Sequence, residues 1–190
     1  QWGNSDRSLG CFVGLNPGSA KLMNPELRLK VERGLNVSGE VLADPSMRQM
    51  IAFVESISGA DVSGRLSVYN LFYLQDPKAR RAVKVLSDLH LESYDLEGEI
   101  SSIVELQRNP WILVSWGLED KPHVKDLKQL WLARMQGSGV PYFGKVHAYK
   151  KDYYHICPQL VEKRKEIIDD LTSIYSSMVE ADRSVYRCHG

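Results

Sequence analysis

The chain has 190 residues, of which 43% are hydrophobic and 25% charged. These are ordinary values for a globular domain, and they exclude a disordered, collagenous or coiled-coil protein. Its 24 basic and 24 acidic side chains cancel to a formal net charge of zero, which excludes binding to nucleic acid by bulk charge but allows a local basic rim.

Length predicts a single domain over residues 1–190, large enough to fold without a metal or a disulfide. Gly10 to Leu15 is a short apolar run stopped by Asn-Pro-Gly, which predicts a buried strand entering a turn. Lys21 to Leu42 is longer than a tight loop and is read either as a lid or as a surface helix. Asp44 followed by Pro45 predicts a helix start, with an N-cap and then Pro at the first helical position. Met47, Met50, Ile51, Val54 and Ile57 then fall on one face, and Gly59 ends the helix. Arg65 to Phe72 is the second predicted strand, and a basic stretch from Lys78 to Lys84 leads into a helix up to Leu89.

An amphipathic helix is predicted over Glu97 to Gln107, and a third strand over Trp111 to Trp116, closed by Gly117. Val124, Leu127, Leu130, Trp131 and Met135 mark a helix with a wide apolar face. Val140 to Val146 and Asp152 to Cys157 are short strand candidates, and the last helix is predicted from Val161 to Met178. Strands separated by helices need crossover connections, so the expected fold is a mainly parallel sheet covered on both faces. Such sheets bind ligands at the carboxyl ends of their strands.

Cys11, Cys157 and Cys188 are odd in number and widely spaced, without a CxxC pair or zinc spacing. Reduced thiols, no metal and a cytoplasmic setting are expected. No apolar run approaches the roughly 20 residues of a membrane helix, and the polar first residues lack a signal-peptide core. No phosphate loop, dinucleotide fingerprint, nucleophile elbow or HExxH motif is present, and no cofactor is expected.

Four strand ends carry polar residues that a parallel sheet would send to one crevice. They are Asn16-Pro17-Gly18-Ser19-Ala20, Asn70 with Leu71-Phe72-Tyr73 and Asp76-Pro77, Ser115-Trp116-Gly117, and His155-Ile156-Cys157-Pro158. Gly14 to Ala20 resembles the first motif of the uracil-DNA glycosylase superfamily, closest to the mismatch-specific branch with its Gly-Ile-Asn-Pro-Gly. The strand ending in Asn70 is similar to that superfamily's second strand. Leu113 to Gly117 is similar to its hydrophobic third strand ending in Trp-Gly, and His155 to Pro158 resembles its late His-Pro-Ser-Pro motif with Ile and Cys substituted. The chain also resembles a little-characterised bacterial and phage family with an Asn-Pro-Ser-Thr or Asn-Pro-Gly-Ser motif, an Asn-Leu-Phe strand end and a downstream Asp-Pro.

The resemblance implies a three-layer α/β/α sandwich around a four- to five-stranded sheet. It further implies a DNA glycosylase that flips out and excises a modified or mismatched base, with a phage-type modified pyrimidine as one such substrate. Asn16 would position the attacking water and His155 would donate to the departing base. Asn16 stands where faster members carry Asp, and an amide is no general base, so a slow enzyme is implied. Asn70 would read the base edge. Gly18 and Ser19 would bring backbone N–H groups close to a phosphate or to the base, and Gly14, Pro17 and Ser115 would also bind the substrate. Phe72, Tyr73 and Tyr153 are the candidates for stacking on an extruded base, with core packing as the alternative for each.

Lys78, Arg80, Arg81 and Lys84, with Lys145, Lys150 and Lys151, are the candidate cations of a DNA rim. Leu160 is the candidate wedge. The expected partner is DNA, bound by a monomer. Two other readings fit the same residues: a non-catalytic module that binds nucleotides or nucleic acid, and an N-glycosidase acting on free nucleosides or nucleotides.

Overall fold

The computed structural model describes residues 1–59, 61–76, 78–90 and 100–187. The start of the helix expected from Glu97, Pro77 and Cys188 lie outside these residues. The central sheet has four strands: β1 (Ser8–Gly14), β4 (Arg65–Asn70), β5 (Ile112–Val114) and β6 (Tyr142–Phe143), in the order β4-β1-β5-β6. Every pairing in it is parallel. The helices are α1 (Pro25–Glu32), α2 (Pro45–Ser58), α3 (Ala79–His90), α4 (Ile103–Leu106), α5 (Pro122–Ser138) and α6 (Lys163–Arg187). A second, two-stranded sheet pairs β2 (Lys21–Leu22) with β3 (Val41–Leu42) in antiparallel register.

Alternation along the strands sorts the core into two halves. Cys11 and Val13 of β1, with Ile112 and Val114 of β5, face α3, α4 and α5. Phe12 and Leu113 face α2 and α6. The fold is therefore a three-layer α/β/α sandwich. Phe53 of α2 centres one half, with ring centroids 6.0 Å from Phe12, 5.8 Å from Trp111 and 6.1 Å from Phe143.

The caps of α2 form where the sequence predicts them. The Asp44 side chain accepts from the Met47 N–H at 2.8 Å, Pro45 opens the helix, and Gly59 closes it at φ 74°. Three elements differ from expectation. The helix expected over Glu97–Gln107 is reduced, within the described residues, to the single turn of α4, because Ser102 caps it by accepting from the Glu105 N–H at 3.2 Å. The second strand stops at Asn70, and Leu71 and Phe72 turn into the core, both fully buried. Asp152 to Cys157 is a loop, joined to the neighbouring chain by one isolated bridge, Val146 with Tyr153. The fourth strand is β6 instead, with Tyr142 beside Ile112 and Phe143 beside Leu113.

The segment Lys21 to Leu42 contains the surface helix expected as one of its two readings. It holds α1, which has no buried residue, tied by the β2–β3 pairing to the first strand's exit loop.

Phe53→Ala should lower the unfolding free energy by about 3–5 kcal/mol, read from urea denaturation. Leu42→Ala, at a 67% exposed position, should stay within about 0.5 kcal/mol. Equal effects at the two sites would contradict this packing.

Candidate functional site

The connection leaving β1 runs to α2 on one face of the sheet, while those leaving β4 and β5 run to helices on the other. Adjacent strands whose connections diverge in this way leave a crevice at their carboxyl ends. A cavity of about 280 Å³ fills that crevice, and Asn16, Asn70, Asp44, Gln75 and His155 all line it. In the parallel register Gly14 lies beside Asn70, so the exits of β1 and β4 are neighbours.

Asn16 is held through its amide nitrogen. Nδ2 donates to the Asp76 carbonyl at 2.9 Å and to the Pro17 carbonyl at 3.0 Å, with the Leu74 carbonyl at 3.4 Å. These acceptors fix which end of the amide is which. Among the described residues Oδ1 meets no donor, so it is available to a water or a ligand. Asp76 also organises the start of α3: its Oδ1 accepts from the Lys78 N–H at 2.7 Å, and its Oδ2 pairs with Arg81 at 3.1 Å. Asn70 is half-buried, and among the described residues its side-chain amide forms no hydrogen bond. Both of its polar ends are therefore open to a ligand.

His155 reaches the cavity on a loop. Ser115 Oγ accepts from the Ile156 N–H at 2.6 Å, Gln49 Nε2 donates to the Ile156 carbonyl at 3.2 Å, and the Ile156 side chain is fully buried. Nδ1 lies 3.1 Å from the Cys157 N–H and 3.2 Å from the Cys157 carbonyl, so the backbone of Cys157 can partner either tautomer of the neutral ring. Burial lowers the His155 pKa from its ordinary 6.5, opposed by the Cys157 backbone and by the Asp44 charge. The site thus favours a neutral imidazole.

A second buried cluster staples this loop to the exit of β5. Lys128, only 5% exposed, donates to Asp152 Oδ2 at 2.5 Å, to the Gly117 carbonyl at 2.8 Å and to the Glu119 carbonyl at 2.7 Å. Trp116 Nε1 donates to Asp152 Oδ1 at 2.7 Å. Burial pushes the Lys128 ammonium down, and Asp152 works against that.

The other expected residues are distributed as follows. Gly14, Pro17 and Gly18 line the cavity with Asn16. The Ser19 backbone N–H does not face a phosphate or a base, because it donates to Asp44 Oδ2 at 2.9 Å. Ser115 acts through Ile156 rather than on the cavity. Phe72 is fully buried, and Tyr153 packs edge-on against Trp116 at 5.6 Å, so both take the core alternative. Tyr73 is 55% exposed and outside the cavity lining. Lys145 is engaged by Asp170 and Glu166 of α6 and lies over the Tyr154 ring, away from a rim role. Lys150 pairs with Asp120 at 3.6 Å. Lys78, Arg80, Arg81, Lys84 and Lys151 are exposed, and Lys78 and Arg81 adjoin the Asn16 loop through Asp76.

Sequence reasoning treated Asp44 only as a cap and missed it as a cavity residue. The signal was present, since helix N-termini in a parallel sandwich gather at the carboxyl edge of the sheet. Gln75 was missed as well; its Nε2 donates to the Gly18 carbonyl at 3.2 Å. A second cavity of about 530 Å³, between α1 and the Gly18 loop, shares Gly18, Ala20 and Gln75 with the first. A third, of about 470 Å³, lies at the opposite edge of the sheet around Ser8, Asn109 and Trp111. Among the described residues no group of three His, Cys, Asp or Glu could hold a metal ion, and no helix is long and apolar enough to cross a membrane. Comparison of the chain with protein families, curated proteins and solved structures finds no match.

The His155 pKa carries a sign for stability. Its folded value lies below the unfolded 6.5, so between the two the unfolded chain binds more protons. Its contribution is complete above pH 6.5 and is lost as the pH falls from there through the folded value. Urea denaturation across that window should therefore show wild type losing stability faster than His155→Asn. Parallel slopes would contradict a neutral, half-buried His155.

Proposed function

We propose that this chain is an N-glycosyl hydrolase of DNA that excises a modified or mismatched base extruded from the helix. One observation carries the reading: Asn16, Asn70 and His155, far apart in sequence, line a single cavity at the carboxyl edge of the sheet. Its volume of about 280 Å³ is at the small end of ligand sites.

Each group suits one task in breaking the bond between base and sugar. Water adds through its oxygen to C1′, the C1′–N bond breaks with its electron pair on the base, and the water's proton ends on the base. Asn16 Oδ1 orients the water. The Nε2–H of neutral His155 stabilises the negative charge that develops on the base. Asn70, with a donor and an acceptor open, reads the edge of the base.

The neighbouring cavity beneath α1, which shares Gly18, Ala20 and Gln75 with the first, supports a base with a large substituent. The exposed cations Lys78 and Arg81 beside the Asn16 loop, with Arg80 and Lys84 further along α3, support DNA as the partner. Leu160 and Val161, 60% and 65% exposed just after the His155 loop, suit the apolar wedge that base extrusion needs. The unpaired Cys11 and Cys157 fit a cytoplasmic setting.

A second reading, hydrolysis of free nucleosides or nucleotides, draws support from the zero net charge. One assay separates the two. Purified protein is incubated with duplex and single-stranded DNA bearing a panel of modified bases, and with the matching nucleosides, and released base is measured by mass spectrometry. The account expects release from DNA, with Asn16→Ala and His155→Ala each lowering the rate by about 100-fold. Release from nucleosides alone would favour the second reading. DNA binding without release on any substrate would mean a binding module. Full activity in both variants would overturn the site.

A further inference from the structure

The cavity contains one carboxylate, and its placement exceeds what a helix cap requires. Asp44 Oδ1 caps α2 through the Met47 N–H at 2.8 Å, which an Asn or Ser oxygen would do as well. Oδ2 has a different target, accepting from the Ser19 N–H at 2.9 Å. The loop is shaped to receive it, since a Cβ on Gly18 would lie 2.4 Å from Oδ2. Among the described residues no Lys or Arg forms an ion pair with Asp44, and the titratable group that shares the cavity, His155, is neutral. The result is a carboxylate at the N-terminus of α2 with no ion-pair partner among the described residues, lining the same space as Asn16.

That charge answers a chemical need the other residues leave open. When the C1′–N bond breaks, positive charge builds on the sugar. Asn16 is neutral and offers only a dipole. His155 and Asn70 serve the base. An anion fixed by two backbone N–H groups, in a crevice partly shielded from water, is preorganised for a developing cation.

We propose that Asp44 is the anionic group that stabilises the positively charged sugar in the transition state, while Asn16 orients the water. The inference rests on the base-excision reading above. In this step the water's oxygen joins C1′, the bonding pair leaves with the base, the water's proton ends on the base, and Asp44 stays ionised throughout.

The test uses binding as well as turnover. Duplex DNA is prepared with a single abasic-site analogue, either a pyrrolidine that is cationic at neutral pH or a neutral tetrahydrofuran. Wild type should bind the cationic duplex more tightly by about tenfold. Asp44→Asn, which keeps the side-chain size, should bind both duplexes alike, at the wild-type affinity for tetrahydrofuran. Asp44→Ser keeps the cap without placing an amide donor against the Ser19 N–H, and it should behave the same way should Asp44→Asn misfold. On a base that wild type excises, kcat should fall by about 100-fold with little change in KM. Retention of the cationic preference by folded variants, or its absence from wild type, would overturn the role of Asp44 alone. Wild type that binds neither duplex and releases no base would defeat the base-excision reading, and this inference with it.

Discussion

The site depends on the position of β1 between two parallel neighbours. Val13 lies beside Val114 and Gly14 beside Asn70, so three chain exits emerge at one edge of the sheet. The exit from β1 then turns to the face opposite the one used by the exits of β4 and β5. A crevice at that edge is a geometric consequence, whatever side chains occupy it. The two halves of the core hold β1 in place through alternate residues, Cys11 and Val13 on one side and Phe12 on the other.

Within the crevice, backbone groups do most of the positioning. Three carbonyls orient Asn16, two N–H groups fix Asp44, and the Cys157 backbone holds Nδ1 of His155. Asn16 is thereby held at its nitrogen and left open at its oxygen, whereas both oxygens of Asp44 are engaged. Groups arranged in this way can meet a reacting molecule without reorganising first, which is where enzymes gain most of their electrostatic advantage. The Lys128–Asp152 pair extends the same principle outward. It joins the loop after β5 to the loop that carries His155, and so limits how far the His155 ring can drift from Asn16.

Much of this was legible in the residues. An apolar run stopped by Asn-Pro-Gly marks the end of β1, and Asp44-Pro45 with Gly59 marks both ends of α2, because caps and breakers act locally. The convergence of Asn16 and Asn70 followed from parallel topology, while His155 joins them on a loop. What escaped was set by tertiary packing. His155 sits on a loop rather than a strand because β6 is completed by Tyr142 and Phe143, and the following chain is anchored by Ser115 and Ile156 instead of a ladder. Phe72 is lost to the core because the strand ends two residues before it. Lys145 is diverted by acidic residues of α6, a pairing that no local pattern announces. Asp44 was visible as a cap, but its second oxygen has meaning only once the β1 exit loop is folded against it.

The central claim is that one crevice, at the carboxyl edge of the sheet, receives an extruded base. The most direct measurement is nuclear magnetic resonance of the side-chain amides and imidazole during titration with duplex DNA carrying an uncleavable 2′-fluoro nucleotide of a base that the protein recognises. The account predicts that the Asn70 amide and the His155 ring shift together and saturate at the same DNA concentration, while the Asn109 amide at the opposite edge stays still. Shifts confined to Asn109 and its surroundings, with Asn70 and His155 unmoved, would contradict it.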